Sequence, residues 1–419
     1  MVRQQGSQIG LFRMKIAQDI NIAGVPAWKV KREFGRVFNQ ADTALQNSIG
    51  RSFAYYHIKF FVDPLAQIQN GKLSLGSRVA IYLIFPADGL QASHRVALDY
   101  IIKSGYIPIV VSNLPLTEAD TRELLSLCAH LILRPNYGYD FGGYRDAVRL
   151  LGRSLDQVDY LAIFNDSSWF PVRPNLDWLG AAESMQLDFV ASVFHDGISS
   201  SEVLDFSRTS WVIDQNAANF HYGSYSLLLG RKILAAKSFR TFWQNYIPSK
   251  SKFITIRRGE IGLTRWVIDN GYSHGATCDT RHLDRLLQDV PAARLHQIAG
   301  NLVTYDIPEL IEQNVVALAQ NPPDPEGLRN IILSVVARHG PAYALIDYDT
   351  RERLGNFIKK APMHWNRDAA EATLRVLSQF DNPEAAAFLK EALVTYEAVY
   401  GCPWAPTPNH SANLVNTSA

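Results

Sequence analysis

The chain has 419 residues, 47% hydrophobic and 19% charged, with 41 Lys and Arg against 40 Asp and Glu. That length buries a sizeable core without covalent staples, and a net charge of +1 gives no electrostatic case for a nucleic-acid partner. Cys128, Cys278 and Cys402 stand too far apart for a CxxC metal site or a disulfide framework. No apolar run reaches membrane-spanning length and the N-terminus has no continuous apolar stretch, so the expected compartment is the cytoplasm.

Residues 1–75 read as a polar, helical N-terminal extension. It holds a basic cluster (Lys29, Lys31, Arg32, Arg36) and the aromatic run FAYYHIKFFV, 53–62, expected to follow a solvated helix face as a buried segment. A resting surface for an anionic membrane is the other use of that pairing. From about residue 76 to 285 strands and helices alternate. VAIYLIF (79–85) is a continuous apolar run of the kind buried on both faces of a parallel sheet. A helix ending at Gly105 follows, then a strand at 107–113 and a helix opened by Thr117 with Asp120. A strand at 129–136, a helix from Phe141 and a strand at 159–167 complete a β-α-β-α-β-α-β order. This predicts an α/β fold with a mostly parallel sheet flanked by helices, and ligands beyond the carboxyl ends of its strands. Further strands are expected at 187–194 and 220–230, and a helix at 259–272 ending at Gly271. Residues 286–419 read as mostly helical, with a tail disordered by composition.

Three clusters carry candidate chemistry. In RPNYGYDFGGYRDA (134–147), Asn136, Gly138, Asp140, Gly142 and Gly143 lie at a strand-to-helix junction. Glycines there permit close approach to a ligand, and a helix N-terminus offers N–H groups to an anion. Arg134 and Arg145 are candidate phosphate partners; a plain β-α turn with Asn and Asp caps is the competing account. In NDSSWF (165–170), the Asp166 carboxylate at a strand tip suits a divalent cation, Asn165 and Ser167 supply neutral oxygens, and Trp169 suits stacking on a sugar ring. The competing account is a polar turn leaving the sheet. Glu260 opens the late helix, as a general base or as a partner for the helix dipole. Asp214, His221 and His274 are lone polar residues nearby in sequence. GxGxxG, P-loop and HExxH patterns do not occur, which argues against Rossmann cofactors, Walker NTPases and zinc hydrolases.

Segments 78–285 resemble the rhamnan synthesis protein F family of bacterial polysaccharide glycosyltransferases. The likeness rests on VAIYLIF, NYGYDFGGYRDA, LAIFNDSSWFP, HYGSYSLLLGRKIL and GEIGLTRWVIDNGY, in order and at fitting spacing. It implies a GT-A-like nucleotide-sugar domain over 76–285. Ile84 to Ala87 would then meet the nucleotide base. Arg134, Asn136, Gly138, Asp140, Gly142, Asn165 and Ser167 would bind the donor. Asp166 would be the single remaining carboxylate of an Asp-x-Asp motif, with Mg²⁺ or Mn²⁺. Trp169, Ser224 and Tyr225 would face the acceptor, Glu260 would be the catalytic base, and His364 would lie near the diphosphate. The resemblance further implies a dTDP-linked deoxyhexose donor such as dTDP-rhamnose, with UDP- and GDP-linked sugars as alternatives. The acceptor would be a glycan or lipid-linked glycan of a cell-surface polysaccharide or lipopolysaccharide, with peripheral contact at the inner face of the membrane. The reading of another class is a non-catalytic carbohydrate- or nucleotide-binding protein that retains a degenerate GT-A shell.

Overall fold

The computed structural model describes residues 50–195, 211–305 and 307–405. The basic cluster at 29–36 and the tail from 406 lie outside them. The chain divides into two compact units, 1–64 and 65–419. In the first, the helix Gly50–His57 runs on as a π-helical turn, Ile58–Val62. Ile58 and Val62 are buried, but Tyr55, Tyr56, Phe60 and Phe61 are exposed. Most of the aromatic run expected in a core thus faces outward.

The second unit is built on strands β1 (Gln67–Asn70), β2 (Arg78–Ile84), β3 (Ile107–Ser112), β4 (His130–Leu133) and β5 (Tyr160–Asn165). They are followed by β6 (Ser168–Trp169), β7 (Phe189–Ala191), β8 (Phe194–His195), β9 (His221–Tyr222), β10 (Ser226–Gly230), β11 (His274–Ala276) and β12 (Ile358–Lys359). Eight of these form one sheet in the order β1-β4-β3-β2-β5-β10-β7-β11. Strands β4, β3, β2 and β5 are mutually parallel, β1 and β10 run against their neighbours, and β7 and β11 return to the common direction. The expected α/β architecture with a mostly parallel sheet is borne out. The Gln67–Asn70 segment, read as part of a helical extension, is instead an edge strand on β4. Four residues with one partner give too short a pattern to separate strand from helix in sequence.

Alternation along β2 explains how both faces of the sheet are filled. Val79, Ile81 and Leu83 pack under the helix Tyr139–Leu151, while Ala80, Tyr82 and Ile84 pack under the helices Ala92–Lys103 and Glu118–Leu127. Thr117 caps the second of these, its hydroxyl accepting the Asp120 N–H at 3.1 Å. Gly143 lets the Tyr139–Leu151 helix sit close on β2, because a Cβ there would collide with Leu83. The strand expected at 187–194 divides into β7 and β8, and that at 220–230 into β9 and β10.

The C-terminal helices are not an appendage to this sheet. The ladder between β6 and β12 pairs Trp169 with Ile358 and Ser168 with Lys359. Trp169, Val172 and Ile358 share a hydrophobic cluster with Leu374, Phe388 and Tyr396 of the helices Arg367–Leu377 and Pro383–Tyr400. Glu391 of the last helix accepts the Ser93 N–H at 2.7 Å and the Trp169 indole N–H at 3.0 Å. Among the described residues, no helix is long and apolar enough to cross a membrane.

Candidate functional site

Because β2, β3, β4 and β5 are parallel, their carboxyl ends lie along one rim. Phe85, Asn113, Arg134 and Asp166 immediately follow those ends. Strand β10 runs antiparallel to β5 with Ser226 opposite Phe164, so Ser224, which leads into β10, comes to the same rim. The two loops around 136–143 and 165–167 converge there: the Asn165 amide lies 2.8 Å from the Tyr144 hydroxyl and 3.5 Å from Asp140 Oδ2.

The centre of the rim is a pair of carboxyl groups joined by one hydroxyl. Ser224 Oγ lies 3.0 Å from Asp140 Oδ2 and 2.9 Å from Glu260 Oε1. A hydroxyl has one proton to donate. With both acids ionised, one of them faces a lone pair, so the geometry favours a proton held within the pair. The titration behaviour agrees: burial, then the Glu260 charge, pushes the Asp140 carboxyl up to about 6, and burial raises Glu260 as well.

Glu260 does not open a helix. The helix starts at Lys252, capped by Ser251, and passes through a π-helical segment, Ile256–Ile261, before resuming as Gly262–Asp269. Glu260 therefore sits within a wide turn, too far from a helix start to serve as a dipole partner, and such turns recur at functional sites. Gly259 brings that turn against the Phe141 ring, 2.5 Å from where a Cβ would stand, and so carries Glu260 toward Asp140. On the far side of Glu260, His221 Nε2 is 3.4 Å from Oε2. The other ring nitrogen, Nδ1, faces the Asn219 carbonyl at 2.7 Å and must carry the hydrogen, which leaves Nε2 as an acceptor toward Glu260. Burial lowers His221 and keeps it in that neutral form; the stacked His195 ring, 5.2 Å away, is pushed down to about 4 by burial and by His221 and His339.

Glu260, Ser224, Tyr225 and His221 line a cavity of about 100 Å³ together with Tyr343 and Lys359. Lys359 had no signal in the sequence. The short β6–β12 ladder brings it from nearly two hundred residues away, with its ammonium 2.8 Å from Ser167 Oγ and 4.1 Å from the centre of the Tyr225 ring. Burial pushes Lys359 down to about 8, against the opposing pull of Glu260 and Asp140.

Other expected site residues stand elsewhere or serve the frame. Arg134 is buried behind the loop, and its guanidinium is committed to Asp146 (2.8 Å), Asn113 (2.6 Å) and the Tyr137 carbonyl (2.7 Å); it braces the loop and presents no free edge to a phosphate. Arg145 is engaged with Asp146. Gly138, in the left-handed region, and Gly142 allow close approach, but to Pro248, Tyr137 and Arg134 of the protein itself. Asn136 is exposed at the rim, Ser167 is exposed and accepts from Lys359, and its own hydroxyl donates to Asn165. Trp169 lies in the core against the C-terminal helices, so it has no open face for a sugar. His364 is exposed at the end of a short turn, Asp214 closes an exposed turn on the Asn216 N–H, and His274 opens β11 at the opposite rim.

Asp166 takes a structural part. Its Oδ2 accepts the Phe85 N–H at 2.5 Å and faces His94 Nε2 at 3.1 Å. His94 Nδ1 accepts the Gln91 N–H, so the Nε2 hydrogen points at Asp166. Burial works against the charge, but the hydrogen bonds from His94 and Phe85 and the Lys360 ammonium outweigh it and hold the carboxyl below its usual range. Asp166 thereby fixes the loop after β2. For the Mg²⁺ or Mn²⁺ implied by the resemblance the chain offers little: Asp166 Oδ2 is committed to two donors, Asp140 and Glu260 share Ser224, and among the described residues no three His, Cys, Asp or Glu side chains cluster, so an ion there would rest mainly on the ligand's own phosphates.

One consequence is measurable without a substrate. A carboxyl raised by folding binds its proton more tightly in the native state, so Asp140 makes stability fall as pH rises from about 4 to about 6, and the deficit persists above. Asp140→Asn is expected to raise stability at pH 7 by about 2–3 kcal/mol and to flatten that stretch of the melting-temperature profile. Asp349 is pushed up to about 6 as well, so the comparison of variant with wild type separates it from the Asp140–Glu260 pair. An unchanged melting temperature at pH 7 counts against the carboxyl pair.

Over 198 residues, 47% of this chain, the sequence is 31% identical to the uncharacterized protein y4gN of Sinorhizobium fredii (strain NBRC 101917 / NGR234). The match covers 48% of that protein, so the chain spans about half the length of its curated relative. Among solved structures it is similar to core-mannan synthase A (CmsA/Ktr4) from Aspergillus fumigatus, in an Mn/GDP form, at 9% identity and a TM-score of 0.24 over 42% of this chain and 65% of that one. The mannosyltransferase Ktr4p from S. cerevisiae is similar at 11% identity and a TM-score of 0.21, over 48% of this chain and 69% of that one. Likenesses this slight say nothing about what this chain binds. The profile of rhamnan synthesis protein F matches residues 108–311, a stretch that includes Asp140, Asn165, Ser224 and Glu260, so the chain is similar to that family over this segment.

Proposed function

We propose that this chain is a glycosyltransferase with a GT-A-like donor site. It moves a sugar from a nucleotide-sugar to a growing cell-surface polysaccharide or lipopolysaccharide. The observation that carries this reading is the Asp140–Ser224–Glu260 arrangement, open to a cavity at the carboxyl ends of the sheet. The family description favours rhamnose, and so a dTDP-linked deoxyhexose, as donor.

In the reaction an acceptor hydroxyl oxygen bonds to the anomeric carbon. The bond from that carbon to the diphosphate breaks, and its electron pair leaves with the diphosphate. The hydroxyl proton passes to Glu260. A carboxyl raised by burial is the stronger base, and His221 Nε2 stands behind it as a further acceptor. Asp140, through Ser224, positions Glu260 and limits the negative charge the pair carries. The loop held by Asp166 presents Phe85, exposed at the strand end, to the nucleotide base. Exposed Tyr56, Phe60 and Phe61 in the first unit support peripheral contact with a membrane carrying a lipid-linked acceptor at its cytoplasmic face.

The test is a panel of dTDP-, UDP- and GDP-linked sugars with extracted polysaccharide acceptor, following release of nucleoside diphosphate. Release from a dTDP-deoxyhexose above all others is expected. Tight nucleotide binding with no release from any donor would instead indicate a binding protein.

A further inference from the structure

Beside the carboxyl pair stands a cation that neither the motif nor the family segment contains. Lys359 lies outside 108–311, on a two-residue strand whose neighbour Ile358 is buried in the C-terminal core. Successive residues of a strand point to opposite sides. Lys360 accordingly turns away, reaching Ser93 Oγ at 3.1 Å and lying over the Trp169 ring, and only Lys359 enters the cavity. Its backbone is pinned on both sides, since Lys359 pairs with Ser168 and the Lys360 N–H donates to the Ser167 carbonyl at 2.9 Å. The ammonium touches Ser167, shares a cavity with Glu260, and feels the charges of Glu260 and Asp140.

A departing diphosphate needs positive charge at the moment it leaves. Asp166 is tied to Phe85 and His94, Arg134 is spent on the loop, and no metal-holding cluster is present among the described residues. Resting on the glycosyltransferase reading, we propose that Lys359 is the cation of this site: its ammonium binds the donor's diphosphate in place of a divalent metal, so that donor binding is independent of Mg²⁺ and Mn²⁺. A lysine supplies a point charge with three donors. Ser167 Oγ and the Tyr225 ring position the ammonium at the cavity, where a diphosphate oxygen can meet it.

The test uses the full chain and calorimetric titration with dTDP, UDP and GDP, in EDTA and again in MnCl₂. The expected result is one diphosphate that binds with the same Kd in both. Lys359→Met is expected to weaken that Kd by about 10- to 100-fold, the range for losing a hydrogen bond to a charged group. Lys359→Arg keeps the charge and is expected to recover part of the loss. Equal melting temperatures of the three proteins establish that the variants are folded; a variant that melts early is replaced in the comparison by Lys359→Gln. A Kd that tightens tenfold or more with Mn²⁺, or a Lys359→Met protein that binds like wild type, overturns the proposal and leaves the glycosyltransferase reading standing. Wild-type protein that binds none of the three in either buffer overturns both.

Discussion

Replacing Glu260 with Gln is expected to lower turnover by about 10²–10⁴-fold while nucleoside diphosphate affinity stays within about threefold. The substitution suits the geometry unusually well. The amide oxygen can accept from Ser224 Oγ where Glu260 Oε1 now does, and the amide nitrogen can donate to His221 Nε2, which already faces that position as an acceptor. Shape and hydrogen bonds are thus kept, and the capacity to take a proton is lost. A general base acts in the transition state, so the defect should appear in kcat and kcat/KM together. Wild-type turnover by Glu260→Gln, or a defect confined to KM, would remove Glu260 from the proton transfer and leave it as a packing residue.

Asp166→Ala is expected to destabilise the fold by about 1–3 kcal/mol, because it removes the acceptor of two donors, the Phe85 N–H and the part-buried His94 Nε2–H. The sign of the pH dependence is opposite to that of Asp140. Folding depresses the Asp166 carboxyl, so its contribution is present in full above its unfolded value of about 4 and fades as pH falls below it. The gap between wild type and Asp166→Ala in denaturant unfolding should therefore be widest near neutrality and narrow in acid. Asp166→Asn keeps an oxygen for both donors and should lose less. An Asp166→Ala protein as stable as wild type would contradict the staple and return Asp166 to candidacy as a ligand-binding group.

Asp140 and Asp166 show what could be read in the sequence and what could not. Both lie at the tips of apolar strands or beside them, and the strand–helix alternation puts Asp140, Asn165 and Asp166 along one rim, whereas Ser224 is a candidate only through the family resemblance. Their division of labour was not legible. Asp166 turns toward Phe85 and His94 and Asp140 toward Ser224, and each direction depends on side chains 70 to 85 positions away. Arg134 misled for a similar reason: an arginine in a glycine-rich loop reads as a phosphate partner, and only the tertiary structure reveals Asn113 and Asp146 on its guanidinium. Glu260 reads as the opening of a helix over 259–272. The π-helical turn that runs through it leaves no mark in residue periodicity.

By itself the sequence determined the middle of the central sheet, since runs such as 79–84 and 161–164 are apolar at every position and are buried between two helical layers. It also determined which end of that sheet carries polar chemistry, because parallel strands align their carboxyl ends. Only the tertiary structure decided which charges meet there. The β6–β12 ladder and the packing of Trp169 and Ile358 against the last helices deliver Lys359 to the cavity that Glu260 lines. A contact between residues so distant in the chain is set by the closure of the whole core, and no local pattern encodes it.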